Sequence, residues 1–180
     1  DTAGTLIWAV SFGGLDSDLG TNLAIGPDGS VYVTGYFKGA VIFGDDILIS
    51  SGEYDAFLVK VDVNGSLLWA KSFGGTSDDR GLGLALAADG SVLWTGFFSG
   101  ESISAGTFSL DSNGGRDIFL AKVWADGSYA WVHSAGGSGE DISTAVVADP
   151  SGGSYVAGTV EKQSPSDVFL IRFDANGEIL

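Results

Sequence analysis

Trp69-Ala70-Lys71-Ser72-Phe73-Gly74-Gly75 decides the architecture, because it occurs three times. The first copy is Trp8-Ala9-Val10-Ser11-Phe12-Gly13-Gly14, and the third is Trp131-Val132-His133-Ser134-Ala135-Gly136-Gly137. The tryptophans lie 61 and 62 residues apart (69 − 8 and 131 − 69). Self-similarity at a fixed period of this size marks a repeat architecture.

The rest of each unit follows in phase. An aspartate stands ten positions after each Trp, at Asp18, Asp79 and Asp141. Apolar stretches come next at Leu23–Ile25, Leu84–Leu86 and Ala145–Val147, then turns at Asp28-Gly29, Asp89-Gly90 and Gly152-Gly153. A second apolar run ends in Gly35, Gly96 and Gly158. A third reads Asp55-Ala56-Phe57-Leu58-Val59-Lys60, Asp117-Ile118-Phe119-Leu120-Ala121-Lys122 and Asp167-Val168-Phe169-Leu170-Ile171-Arg172. Turns follow at Asn64-Gly65, Asp126-Gly127 and Asn176-Gly177, and the Trp segment begins four residues after each of the first two of these glycines. Asx-Gly between apolar runs signals a hairpin and predicts type I′ turns. Nothing along the chain has helical periodicity.

Four strands per unit, joined in order and apolar on both faces, cannot be buried by one sheet alone; stacking neighbouring units solves the problem. The expected fold is therefore all-β, a β-propeller of four-stranded blades of about sixty residues, with three blades per chain and an incomplete ring. The expected division is one module over residues 1–180. Within it, 1–14 form the fourth strand of a preceding or partner blade, 15–75 blade 1, 76–137 blade 2, and 138–180 an incomplete blade 3. Three blades are too few to close a ring. Either two chains make six blades, or the chain is part of a longer propeller. The repeated pattern resembles the bacterial β-propeller repeat family called SBBP, over essentially the whole chain. That resemblance implies a secreted or surface bacterial protein and supplies no general catalytic motif. The third copy departs from it, with Ala135 in place of Phe12 and Phe73 and an extra residue near Pro150.

Composition narrows the function. Asp and Glu number 23 against 8 Lys and Arg, for a formal net charge of −15. Phosphate-backbone partners need clustered bases, so nucleic acid is not expected as a partner. No apolar run approaches a membrane span, so insertion is not expected either. Without cysteine there is no disulfide scaffold, thiolate zinc site or Cys nucleophile.

Strand order puts the Asx-Gly turns at one end of the sheets. The loops after strands two and four lie at the other. The loops after strand four carry the acids Asp16 and Asp18, Asp78 and Asp79, and Glu140 and Asp141. The connections after strand two vary, with 20 positions from Gly35 to Asp55, 21 from Gly96 to Asp117 and 9 from Gly158 to Asp167. Variable loops on a rigid scaffold commonly bind, so these acids are the candidate ligand-binding residues. Trp124 joins them as a candidate exposed aromatic, since it stands where the other copies have Asp62 and Asp174. No cofactor is required. Each repeated Asp reads first as a turn-shaping acceptor of backbone N–H groups; the one cation the pattern could hold is Ca²⁺, at Asp18, Asp79 and Asp141. Lys60, Lys122 and Arg172 read as salt-bridge partners, and the lone His133 forms no catalytic constellation.

The function expected is a non-enzymatic extracellular scaffold for protein or glycan binding or for surface structure. Two alternatives stand beside it: a lectin-like carbohydrate binder with one weak site per blade, and a hydrolase using loop carboxylates of an assembled ring.

Overall fold

The computed structural model describes residues 3–100, 102–161 and 166–180. Among them there are fourteen strands and no helix, and all pairing is antiparallel. The first sheet contains β1 (Gly13–Gly14), β2 (Asp18–Ile25), β3 (Val31–Phe43), β4 (Asp46–Val61) and β5 (Leu67–Phe73). The second contains β6 (Arg80–Leu86), β7 (Val92–Ser99), β10 (Arg116–Val123) and β11 (Tyr129–Ala135). Between β7 and β10 a small hairpin pairs β8 (Ser102–Ala105) with β9 (Phe108–Asp111). The third sheet is β12 (Ile142–Ala148), β13 (Ser154–Val160) and β14 (Asp167–Phe173). Strands β2–β5, then β6, β7, β10 and β11, then β12–β14 thus each follow one sequence repeat in chain order, while β1 pairs with the far part of β3.

The turns form at the expected places with a different geometry. Among the described residues, none other than glycine has positive φ, which rules out type I′ turns at Asp28-Gly29 and its counterparts. Instead Gly29 N–H donates to Gly26 C=O at 3.0 Å and Gly26 N–H to Ser30 C=O at 2.7 Å. Only Gly29 is left-handed, at φ 77°. This is a three-residue loop ending in a glycine bulge. The aspartate stays right-handed because its carboxylate accepts the Ser30 amide at 3.0 Å, the local bond that Asx side chains make in turns.

The long connections after strand two are β-structure rather than open loops. In the first unit β3 and β4 run on past the sheet as a hairpin arm, pairing Ala40↔Ile49 through Phe43↔Asp46. In the second, β8 and β9 form the arm. Both arms bury apolar side chains: Val41 and Phe43 in one, Ile103 and Leu110 in the other. The short third connection falls largely on residues 162–165, outside those described.

The sheets stack face to face, and three devices hold the seams. Tyr32, Leu58 and Phe73 of the first sheet interdigitate with Trp94, Phe98 and Phe119 of the second, and Leu93 and Leu120 of the second with Val156 and Phe173 of the third. Buried hydroxyls tie the strands across the seams: the Trp94 indole donates to Thr34 Oγ1 at 2.7 Å, and Ser143 Oγ donates to Gly96 C=O at 2.7 Å. Finally, each repeated Trp donates to a turn of the next unit: Trp8 to Val63 C=O at 2.9 Å, Trp69 to Ala125 C=O at 3.1 Å and Trp131 to Ala175 C=O at 3.3 Å. Residues 6–12 belong to no sheet, yet Trp8 meets the first unit as Trp69 meets the second. The three indoles are half-buried, because each lies over the rim of a turn.

Trp94, 0% exposed, should therefore matter more than the repeated tryptophans. Trp94→Ala is expected to cost about 3–5 kcal/mol. Trp69→Ala should cost roughly 2 kcal/mol, since it loses partial burial and one hydrogen bond. Urea unfolding of both variants checks the order.

Candidate functional site

The strand register separates the two ends of the sheets. Val123 pairs with Val92 beside the tight turns, and Arg116 pairs with Ser99 at the opposite end. The end away from the tight turns carries the loops after strands two and four, with Asp16, Asp18, Asp78, Asp79, Glu140 and Asp141. Trp124 is 42% exposed but sits among the tight turns, with Lys122 Nζ 5.3 Å from its ring centre. The structure therefore does not bring Trp124 together with the acids.

Asp18, Asp79 and Asp141 each perform the same local task. Their Oδ2 atoms accept the amides of Gly14, Gly75 and Gly137 at 2.8, 2.7 and 2.6 Å. Asp79 Oδ1 also accepts the Ser99 amide at 2.9 Å. Each of the three belongs to a different unit, and among the described residues no group of three or more His, Cys, Asp or Glu side chains has a metal-holding arrangement.

A second acid, which sequence reasoning did not single out, accompanies two of them. Asp55 and Asp117, at the start of the third apolar run, stand across the seam from Asp79 and Asp141. A side chain on Gly74 would meet both Asp55 and Asp79, and one on Gly136 both Asp117 and Asp141. Asp55, Asp79, Asp117 and Asp141 are all buried, and Asp55 Oδ1, Asp117 Oδ1 and Asp141 Oδ1 have no hydrogen-bond partner. Burial pushes the Asp55 carboxyl up to about 6, against the Ser51 amide and with help from the charge of Asp79. Burial also pushes Asp79 up to about 6, against the amides of Gly75 and Ser99. Recurrence of an Asp at 55, 117 and 167 was the available signal.

The outer acids are tied by bases. Arg80 Nε lies 2.8 Å from Asp78 Oδ1, Arg116 Nη2 3.2 Å from Asp78 Oδ2, and Arg116 Nη1 3.4 Å from Glu140 Oε2. The Arg80 guanidinium stacks on Tyr36 at 4.3 Å and Tyr54 at 4.9 Å, and Arg116 lies 4.6 Å from the Phe97 ring. A half-exposed strip of alternating acids, guanidinium groups and tyrosines thus crosses from the first unit to the third. Asp16 is exposed at its margin, against Gly39 of the first arm. At the opposite end, the strand-three bases form the expected ion pairs with turn acids: Lys60–Asp28 at 3.5 Å, Lys122–Asp89 at 2.8 Å and Arg172–Asp149 at 3.1 Å. His133 meets Asn176 C=O at 3.0 Å.

No known family profile matches the chain. It is similar to the regulatory protein FlaEY of Caulobacter vibrioides, at 36% identity over 148 residues, covering 79% of this chain and 16% of that protein. It is also similar to an uncharacterized WD repeat-containing protein of Acanthamoeba polyphaga mimivirus. There the identity is 25% over 187 aligned positions, covering 87% of this chain and 14% of that protein. The chain therefore spans only 16% and 14% of the length of these two curated relatives.

The buried pair carries a pH dependence of definite sign. The folded state holds the Asp55 and Asp79 protons more tightly than the unfolded chain, where the value is 3.8. Their contribution to stability is full below that value and is lost as pH rises through about 6. Asp55→Asn keeps an acceptor for the Ser51 amide and removes one charge. It is expected to stabilise the protein above pH 6 and to flatten the decline between about pH 4 and 6, read by urea unfolding across that range.

Proposed function

We propose that the chain is a non-enzymatic protein-binding scaffold, a segment of a β-propeller built from SBBP-type repeats, and that it binds through the Tyr36–Tyr54–Arg80–Asp78–Arg116–Glu140 strip. The strip itself is the observation that carries this reading. Tyrosine and arginine are the residues enriched where interfaces concentrate binding energy. Here they are held half-exposed on strand ends by mutual stacking, so little side-chain freedom remains to be lost on binding. The names of the relatives, one a regulatory protein and the other a WD repeat protein, support an interaction role and a propeller. Asp18, Asp79 and Asp141 each accept a glycine amide, and guanidinium groups hold Asp78 and Glu140, which supports a bend-shaping and interface role over general acid–base work or a Ca²⁺ requirement. We further place the protein at the bacterial cell surface or outside the cell, on the repeat resemblance.

The open end faces support ring closure against further units. Leu58 and Leu120 are buried in seams, whereas their counterpart Leu170 on β14 is 71% exposed. Further units could come from a second copy, making six sheets from two chains, or from a longer chain.

Two measurements test this reading. Peptides selected from a phage-displayed random library against the protein should lose binding to Tyr54→Ala and Arg80→Ala and keep it with Trp124→Ala. Loss with Trp124→Ala alone, together with hits on a glycan array, would instead favour the sugar-binding alternative. Light scattering should give a two-chain mass that a calcium chelator leaves unchanged. A chelator-sensitive mass would assign metal to the acidic loops, and a single-chain mass would count against closure by a second copy.

A further inference from the structure

The third seam differs from the others. At the first, Phe12 packs 5.2 Å from Phe43 of the arm. At the second, Phe73 packs 4.4 Å from Phe119, and the Ile103 side chain of the arm lies against Gly75. At the third, the Phe position is Ala135, and Asp167 follows Gly158 by nine positions where the other units have 20 and 21. A cleft of about 580 Å³ opens there, with Ala135, Ile118, Val160, Phe169 and Ile171 among its walls and Asp141 and Glu161 as its charged residues. That volume is within the range of small-molecule sites.

We propose that this cleft is a binding site for a small organic cation with an apolar body, such as an arylalkylamine. The walls are apolar, and the two ionisable residues lining the cleft are both acids. One of them, Asp141, is buried, with Oδ2 held by the Gly137 amide at 2.6 Å and Oδ1 without a hydrogen-bond partner. An ammonium group near these carboxylates gains in a partly water-excluded site what it cannot gain at an open surface. The apolar body replaces the phenyl ring that the other two seams carry. This inference is independent of the protein-binding strip.

Phenethylamine and its neutral analogue 2-phenylethanol are the probes, titrated at neutral pH and followed by amide NMR shifts. The amine should bind about tenfold more tightly than the alcohol, with shifts centred on residues 135–141 and 169–171. Glu161→Gln should weaken the amine and leave the alcohol unchanged. Ala135→Phe restores the residue found at the other seams, so it should fold with raised stability and abolish binding of both probes. Equal affinities for amine and alcohol, binding retained in Ala135→Phe, or no shifts with either probe would overturn the proposal.

Discussion

Everything in this molecule depends on sheets that cannot be buried alone. Leu58 and Phe57 are neighbours in β4 and point to opposite faces, as alternate strand residues must, yet both are buried. A sheet apolar on both faces needs a neighbour on each side. The seam, rather than the single sheet, is therefore the unit of stability. Around it the chain repeats an apolar interdigitation, an indole reaching to the next turn, and an aspartate clamping a Gly-Gly bend. Asx-Gly turns and strand-three ion pairs recur because each sheet must present the same two faces in the same orientation to its neighbours.

The buried carboxylates show how this constraint produces charge chemistry. The Gly-Gly bend turns the chain from the fourth strand of one unit into the first strand of the next, and its amides need acceptors. Asp18, Asp79 and Asp141 supply them. Stacking then drives the leading aspartate of the neighbouring third strand against the same bend, which leaves two acids sharing a dry seam. Asp79 has both oxygens satisfied by amides, whereas Asp55, Asp117 and Asp141 each keep one oxygen without a partner. Electrostatic strain at the Asp55–Asp79 seam is thus a consequence of repeat geometry, and it is borne by the large apolar contact around Trp94 and Phe119.

Much of this was legible in the sequence, and the misses have physical causes. The period of Trp8, Trp69 and Trp131 fixed the unit, and glycine punctuation located the strands. The ends of the sheets were correctly sorted by strand order. Asx-Gly is compatible both with a type I′ turn and with a right-handed turn closed by a left-handed glycine, and the Asp28 bond to Ser30 selects the second. The connections after strand two looked like loops because Gly39 and Gly44 interrupt the apolar pattern, although Val41 and Phe43 pack as core. Trp124 stands where the other copies carry charge, but that position lies at the tight-turn end of the sheet, away from the acids. The Tyr–Arg strip escaped notice because Tyr36, Tyr54, Arg80 and Arg116 come from four separate segments, and only the stacking of neighbouring units brings them together.

Repetition also makes the exceptions informative. A lone alanine at a core position in a non-repetitive protein has no internal reference, whereas Ala135 is measured against Phe12 and Phe73 in the same chain. Loss of a ring at one seam removes apolar contacts that the other seams retain, and a void costs stability in proportion to its size. Yet Leu93, Leu120, Val156 and Phe173 still close that seam from its middle to the tight-turn end, so the deficit lies at the loop end. The stack can thus tolerate one open cleft at its rim because these contacts hold the sheets together away from it. Binding chemistry can occupy such a rim position without disturbing the repeat that supports it.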